Sequence, residues 1–488
     1  MLTRRRAEDR PVGTVGTEDA DRPEDPGGAP AGGGARLGRP FRLFQSAVVA
    51  SDLADGIYKT AVPLLALGIT RSALGITLVG LAVRLPWLIA ILPAGVAADR
   101  YPPRTVMRWA SAVRLPMVAL LCALAATDRL TLWALALAAF LVGCAGSFVD
   151  VAAQSQLPRL VAKPHLARAN ASLQSTQTFL AQLLGPALGG YAAAVGAGGG
   201  LAASVLLYLV TVWALGLLPS PPPPRTVPSQ TAPPQTVQAQ TAPPEPAPPA
   251  PAAPPEQRPG ERSGERPGER PARLRALVRE LGEGLRYFRG RADLLRLAAT
   301  AAANNLAYAM CLTILPLWAV APGPLGLTTT GYGLLLTCLA VGSIAAGPTA
   351  GRVLRGVGEQ RVMRFGAPLL GFCFLSAGAG SVAVVASGFL CYGLLSTVWS
   401  VAVLSYRQAT IPTELFGRVN AAYRWLTWGV IPLGAALAGA LAALAGTRWV
   451  FVVAGALPIA VGVLLPPVRP VPAEDDTAED SPAPPATT

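Results

Sequence analysis

The chain has 488 residues, of which 52% are hydrophobic and 14% are charged, and its formal net charge is +13. A soluble protein carries about 25% charged residues, so this composition excludes an ordinary soluble domain and indicates a membrane protein. The basic residues lie in short groups between apolar segments, without interleaved aromatic residues, which argues against nucleic acid as a partner.

Residues 1–40 are rich in Gly, Pro and acidic residues, and the arginines at positions 4 to 6 precede polar sequence instead of an apolar stretch. This pattern is not that of a cleavable signal peptide. We therefore predict a disordered N-terminal tail that stays in the cytoplasm.

Apolar segments long enough to cross a bilayer follow in two series, since about 20 apolar residues span the hydrocarbon core. The first series lies near residues 44–67, 74–97, 106–126, 131–152, 169–195 and 199–218. The second lies near residues 294–319, 328–350, 362–384, 386–405, 418–443 and 448–466. The predicted fold is all-helical and integral to the membrane, with twelve transmembrane helices in two pseudo-symmetric six-helix bundles, residues 41–218 and 273–466.

Residues 219–272 separate the two series and contain a PPPP run, QTAPP-like repeats and three GER units. This composition cannot bury a core, so we predict a disordered cytoplasmic linker. Residues 273–291 alternate arginines with apolar residues, which predicts either an amphipathic helix on an anionic leaflet or a simple lead-in to the seventh span. Residues 467–488 are predicted to be a disordered acidic tail.

The loops define an orientation. If the N-terminus is cytoplasmic, the cytoplasmic loops hold Arg100, Arg104, Arg108, Arg159, Lys163, Arg168, Arg352, Arg355, Arg361, Arg364, Arg407 and Arg418. The opposite loops hold only Arg71, Arg129 and Arg448. The positive-inside rule therefore predicts a multi-pass protein of the cell membrane with both termini in the cytoplasm.

The loop after the second span, residues 95–104, reads GVAADRYPPR. It resembles the GxxxDRxGRR-type loop of the major facilitator superfamily, with Pro102 at a position where that family usually has Gly. The resemblance implies a cytoplasmic gate that holds one conformation closed, formed by Gly95, Asp99, Arg100 and Arg104. An ordinary positive-inside loop is the alternative.

A second motif, GPALGG, covers residues 185–190 in the fifth span. Glycines permit close helix contact, and a proline bends a helix. The segment resembles the GPxxGG motif of the antiporter branch of the same superfamily, and this favours export. Its residues are Gly185, Pro186, Gly189 and Gly190, and generic small-residue packing is the alternative.

Further segments are similar to drug and siderophore exporters of the enterobactin-exporter-like branch. They comprise Arg407 with Gln408, and Arg418, Asn420 and Arg424 in the eleventh span. In the first span, SDLADGIYKTAVPLLAL is similar to an LGDxxxxxALPLL pattern, with Asp55 at the acidic position. The resemblance implies a monomeric transporter that exchanges a small amphipathic molecule, such as a drug, antibiotic or siderophore, for a coupling ion, which we expect to be a proton.

Several charged residues lie inside the predicted spans, where one charge costs about 2.5 to 3.5 kcal/mol. Asp52, Asp55 and Lys59 share one face of the first helix, and Arg84 and Arg114 lie in the second and third. We hypothesise that Asp55, supported by Asp52, exchanges a proton, with Arg84 or Arg114 as its alternating counter-charge. The alternative is a permanent ion pair that only neutralises charge.

Polar and aromatic residues in the spans predict an amphipathic substrate cavity. They are Gln174, Gln177, Asn304, Asn305, Tyr308, Trp399, Trp425 and Trp428. Each could instead serve as a contact between helices.

The sequence argues against enzymes and cofactors. Lys59 and Lys163 are the only lysines and neither belongs to a phosphate-binding loop, while the six cysteines and His165 lack metal-ligand spacing. We therefore expect no cofactor and no metal, and a small-molecule substrate, a coupling ion and membrane lipids as partners. Two alternatives remain: an importer of a sugar, nucleoside or organic acid, and a non-transporting sensor or scaffold.

Overall fold

The computed structural model describes residues 38–161, 165–196, 198–218 and 282–465. The predicted linker, the C-terminal tail and nearly all of the N-terminal tail lie outside the described residues. The same is true of Lys163 and of the side chain of Asp99.

The first half of the molecule contains seven α-helices that make six passes. They are α1 (Arg39–Ile69), α2 (Ala73–Arg100), α3 (Pro103–Ala126), α4 (Leu132–Leu160), α5 (Leu166–Gln177), α6 (Gly185–Val195) and α7 (Gly199–Leu217). A π-helical segment, Thr178–Leu184, joins α5 to α6 without a break, so these three pieces form a single pass.

The second half repeats the six passes with more breaks. Its helices are α8 (residues 282–290), α9 (Ala292–Ala319), α10 (Thr329–Ala346), α11 (Ala350–Val357), α12 (Glu359–Ala377), α13 (Val382–Thr410), α14 (Thr413–Trp428), α15 (Ile431–Ala445) and α16 (Thr447–Leu464). Helices α14 and α15 are two parts of one pass. Pro432 lies in the first turn of α15, where its missing N–H is tolerated.

The predicted fold of two six-helix halves is confirmed. Each predicted span overlaps one helical pass, and the largest differences are at two ends: the fourth continues to Leu160 and not only to residue 152, and the ninth ends at Ala377 and not at residue 384. Within the described residues, ten helical passes are apolar and long enough to span a membrane, where α5 with α6 and α14 with α15 each count as one pass. Helices α1 and α12 fall short because both carry charges, which in α1 are Asp52, Asp55 and Lys59.

The two halves meet mainly toward one end of the bundle. We call the end where α1 begins the near end and the end where α1 finishes the far end. In the far part, Gly190 of α6 packs on α10, where an added Cβ would lie 2.9 Å from the Cα of Gly333. Arg71, after α1, donates a hydrogen bond of 2.8 Å to the carbonyl of Ala321, after α9. These contacts close the far end.

Helix α8 lies against α14. Phe288 is 1% exposed and stacks on Tyr423, with ring centroids 6.4 Å apart. Arg418 donates a 2.9 Å hydrogen bond to Glu283. The described part of the predicted amphipathic segment therefore turns Phe288 toward the protein and leads directly into α9.

Candidate functional site

Asp55 is the centre of a buried group of charges in the first half. The Arg114 guanidinium of α3 forms an ion pair with its carboxylate, and the Tyr208 hydroxyl of α7 donates a hydrogen bond to the same oxygen. The Lys59 ammonium lies 3.9 Å from the other oxygen. We call Asp52, Asp55, Lys59, Arg114 and Tyr208 the Asp55 cluster; it joins three helices.

Arg114 is enclosed by the surrounding helices and is only 2% exposed. It donates a 3.2 Å hydrogen bond to the Ser51 hydroxyl, and its Cζ lies 4.6 Å from the centre of the Tyr208 ring. An added Cβ on Gly146 of α4 would lie 3.4 Å from the guanidinium, so the glycine leaves room for it. The surrounding helices thus provide both space and polar or aromatic partners for the Arg114 cation.

Two further carboxylates lie near Asp55. Asp52 is 8% exposed, and its Oδ2 has no hydrogen-bond partner among the described residues. Asp150 of α4 is exposed and close enough to Asp55 and Lys59 for electrostatic interaction. The cluster therefore contains a carboxylate with an ion-pair partner, Asp55, beside one whose Oδ2 has no partner among the described residues, Asp52. A proton bound to either carboxylate would change the net charge of the cluster.

The structure separates the two predicted counter-charges. Arg114 contacts Asp55, whereas Arg84 lies on α2 next to Tyr308 and Tyr332 of the second half. Arg84 has no hydrogen bond or ion pair with any other described residue. Its guanidinium contributes instead to the wall of a cavity between the halves.

This central cavity has a volume of about 540 Å³ and is lined by both halves. Its walls are mostly apolar and aromatic, and Trp87 contacts Trp428 across the two halves at a centroid distance of 4.8 Å. Lys59 and Arg84 are its charged residues, and none of the described residues that line it is Asp or Glu. Lys59 therefore connects the cavity to the Asp55 cluster.

The predicted cavity residues are distributed over two cavities. Tyr308 and Trp428 line the central cavity. A second cavity of about 440 Å³ lies in the near part of the second half, and Trp428 borders this one as well. Its lining includes Asn304, Asn305, Trp399, Arg407, Asn420 and Arg424.

Three predicted cavity residues, Gln174, Gln177 and Trp425, line neither of these cavities. Gln174 is exposed and Trp425 is 52% exposed. The reason is the rotation of each helix, which the sequence pattern alone did not define. On α14, Thr427 is buried and Trp425 therefore faces outward.

The basic motif of the second half divides between the interior and the surface. Arg407 is 8% exposed, donates a 2.8 Å hydrogen bond to Asn420 and lies 3.8 Å from the centre of the Tyr423 ring. Arg424 lies over Trp428 at 4.6 Å. Arg418 contacts α8 through Glu283, and Gln408 is exposed.

The predicted gate loop contacts its own half in this conformation. Arg104 donates hydrogen bonds of 3.1 and 2.9 Å to the carbonyls of Leu215 and Gly216. A cation is favourable there, because the last carbonyls of a helix lack backbone partners and carry partial negative charge. An added Cβ on Gly95 would meet no atom within 4 Å. Arg100 is partly buried.

The GPxxGG segment contacts both halves. An added Cβ on Gly185 would lie 2.6 Å from the Cα of Gly56, and one on Gly189 would lie 2.9 Å from the Ile57 carbonyl. Gly190 instead faces α10 of the other half, and Pro186 lines the central cavity. The same six residues therefore hold α6 on α1 and close the far end.

Sequence reasoning missed Tyr208, Gln182 and Arg71. Tyr208 belongs to a polar series on α7 with Ser204 and Thr211, whose hydroxyls bond to carbonyls of α1, and that spacing was visible in the sequence. Gln182 lines the central cavity from the π-helical segment. Arg71 was recognisable as one of the few basic residues in the loops that are predicted to lie opposite the cytoplasm.

Comparison with known proteins agrees with this architecture. A sequence profile described as Major Facilitator Superfamily matches residues 46–432 and 323–488. No curated protein sequence gives a significant match.

Solved structures share the fold at low sequence identity. A bacterial homologue of the iron transporter ferroportin in an inward-facing state is 14% identical, with a TM-score of 0.63 over 87% of this chain and 97% of that one. A nucleoside transporter is 10% identical, with a TM-score of 0.59 over 88% and 98%. A bacterial homologue of the lysosomal transporter Spinster, inward-facing and unoccupied, is 13% identical, with a TM-score of 0.57 over 87% and 98%.

Proposed function

The chain belongs to the major facilitator superfamily, and on that premise we propose that it is a proton-coupled exporter of small amphipathic organic molecules. The observation that supports this proposal is the buried Asp55–Arg114 pair beside a cavity lined by both halves. A charge pair inside the membrane is costly, and such residues commonly serve transport or proton transfer.

The coupling step is proposed to occur at Asp55. A proton that binds to this carboxylate weakens its ion pair with Arg114, and the released cation attracts the other nearby carboxylates, Asp52 and Asp150. Lys59 lies between Asp55 and the central cavity, so its position responds to the charge of Asp55. Proton binding and substrate binding are thereby linked through Lys59.

Export follows from an alternating opening of the two ends. The proposed orientation places the near end in the cytoplasm, because the basic loops lie there. The closed far end then corresponds to an inward-facing conformation that takes substrate from the cytoplasm. In the opposite conformation, we propose that the loop of residues 95–104 closes the near end, with Gly95 providing space for the approaching helix.

The test uses everted membrane vesicles from cells that express the chain, so that export appears as accumulation inside the vesicle. Radiolabelled amphipathic compounds with positive, zero and negative charge are added under an imposed proton gradient, with and without a protonophore. We expect accumulation of at least one compound, and its loss with the protonophore and with Asp55→Asn.

The matched control is Asp128→Asn, the same chemical change in an exposed loop between α3 and α4. Asn tolerates the positive φ of 53° at this position, so the control variant should transport normally. Proton-independent accumulation that Asp55→Asn leaves unchanged would contradict the coupling role. Accumulation only in right-side-out vesicles would indicate an importer.

A further inference from the structure

Arg84 is a cation in the middle of the bundle, and no described residue supplies a counter-charge for it. It lies near the centre of α2, lines the central cavity and has no hydrogen bond or ion pair with any other described residue. By contrast, Arg114 at a similar depth has a carboxylate, a hydroxyl and an aromatic ring around it. A guanidinium at this depth that has no partner among the described residues lowers the stability of the folded protein. Its presence despite that cost indicates a function.

The walls around Arg84 resemble a binding site for an aromatic or aliphatic anion. Trp87, Trp428, Tyr308 and Tyr332 supply flat apolar surfaces within the same cavity. The second cation, Lys59, lies 3.9 Å from the Asp55 carboxylate, whereas Arg84 has no carboxylate partner among the described residues. A positively charged ligand in this cavity would face two cations, and the described lining residues offer it no carboxylate.

From this geometry we propose that the substrate is an amphipathic organic anion and that Arg84 binds its carboxylate, sulfonate or phosphate group. The inference rests on the proposed transport function and adds the charge class of the substrate. Guanidinium groups suit this role because their planar donors match such groups in bidentate hydrogen bonds.

The second cavity agrees with the same charge preference. Its charged residues are Arg407 and Arg424, and the described residues that line it include no Asp or Glu. The Nε of Arg407 is buried without a hydrogen-bond partner among the described residues. Trp428 borders both cavities, so the two cavities adjoin, and each of them offers cations to an anionic ligand.

The test measures ligand binding to the full chain in detergent, without any transport step. The probes are 2-naphthylacetate, biphenyl-4-acetate and indole-3-acetate, each compared with its neutral acetamide and its cationic ethylamine at millimolar concentration. Thermal unfolding is followed with a maleimide dye that reacts with Cys311 and Cys373, which are buried in the folded protein. Wild type, Arg84→Gln, Arg84→Lys and the exposed-loop control Arg129→Gln are compared.

We expect at least one acetate to raise the unfolding temperature of wild type and of Arg129→Gln, while its amide and amine do not. Arg84→Gln should weaken acetate binding about 10-fold to 100-fold, the range of a charge-assisted hydrogen bond, and Arg84→Lys should retain part of it. Without ligand, Arg84→Gln should be as stable as wild type or more stable, because the substitution removes a partly buried charge that has no partner among the described residues. If Arg84 served only to stabilise the fold, Arg84→Gln would be less stable than wild type.

The proposal is overturned if amides or amines stabilise as well as acetates, if no acetate stabilises, or if acetate binding survives Arg84→Gln. The binding test and the transport test can fail independently, because binding of acetates in detergent does not depend on Asp55 or on a proton gradient. Selective acetate binding without vesicle accumulation would therefore contradict export and leave the assignment of Arg84 intact.

Discussion

Two arginines in the first half have opposite surroundings although both lie inside the membrane. Arg114 is 2% exposed and paired with Asp55, whereas Arg84 borders a cavity and is unpaired among the described residues. Loss of Arg114 removes the buried cation of the Asp55 ion pair and leaves the carboxylate with Lys59, whose side chain is 63% exposed. Loss of Arg84 removes a partly buried charge that has no partner among the described residues. Substitution of the two residues should therefore change stability in opposite directions.

Replacement of Arg114 by Met is predicted to destabilise the protein by about 3 kcal/mol, because Asp55 loses its buried ion-pair partner and keeps only the more distant, mostly exposed Lys59 among the described residues. The double variant Asp55→Leu with Arg114→Met removes both charges and should recover most of the lost stability. Thermal unfolding in detergent checks both variants, with Arg129→Met as the exposed control. An Arg114→Met protein as stable as wild type would show that the pair is not important for folding.

Arg71 links the two halves at the far end and should bias the conformational equilibrium. Its guanidinium donates hydrogen bonds to the carbonyls of Val320 and Ala321, at 3.4 and 2.8 Å. Arg71→Gln should weaken this contact by about 2 kcal/mol, or about 30-fold in the population ratio. Double electron–electron resonance between spin labels at Arg129 and Ser381, exposed far-end positions in opposite halves, should then show a longer distance component. An unchanged distance distribution would remove Arg71 from the closure of the far end.

At the scale of single residues, the sequence indicated which charges lie inside the spans and not which of them contact each other. Asp55 was recognisable because a charge inside an apolar span is costly. The choice between Arg84 and Arg114 as its partner depends on how α2 and α3 rotate against α1. Such rotation is set by packing, for example by Gly146 beside Arg114.

At the scale of helices, the contact between α6 and α10 depends on two glycines. An added Cβ on Gly190 would lie 2.9 and 3.0 Å from the Cα and N of Gly333. Backbone atoms of a long helix cannot move locally to make room for a Cβ atom; the whole helix must shift. The far end therefore closes as a contact between rigid elements.

Gly190→Ala is accordingly predicted to separate α6 from α10 and to open the far end. The matched control is Gly68→Ala, also in the far part, where an added Cβ would meet no atom within 4 Å. The Arg129–Ser381 spin-label distance should increase for Gly190→Ala and stay unchanged for Gly68→Ala. Equal distances in both variants would show that this glycine is not needed for closure.

The order and type of the helices could be predicted from hydropathy, and their internal irregularities could not. Every span was found because about 20 apolar residues are needed to cross a bilayer. The π-helical segment Thr178–Leu184 has the composition of an ordinary helix, and its register depends on the neighbours of α5 and α6. That register places Gln182 in the central cavity, so the residue was missed.

At the scale of the whole molecule, the charge of the cavities determines how the membrane potential acts on transport. Both cavities carry cations, and the described residues that line them include no carboxylate. An inside-negative potential drives an organic anion outward and a proton inward. In the proposed exchange the two movements add, and each contributes about 2.3 kcal/mol per 100 mV.

Exchange of one outward monovalent anion for one inward proton is thus predicted to move two charges per cycle. At 100 mV this corresponds to about 4.6 kcal/mol, or somewhat more than three orders of magnitude in the anion concentration ratio. Proteoliposomes with potassium and valinomycin set the potential, and the reversal potential of the transport current gives the number of charges. Asp55→Asn should stop coupled exchange or reduce the number to one. A cycle without net charge movement would instead indicate exchange of a cation for a proton, which contradicts the assignment of Arg84 as an anion-binding residue.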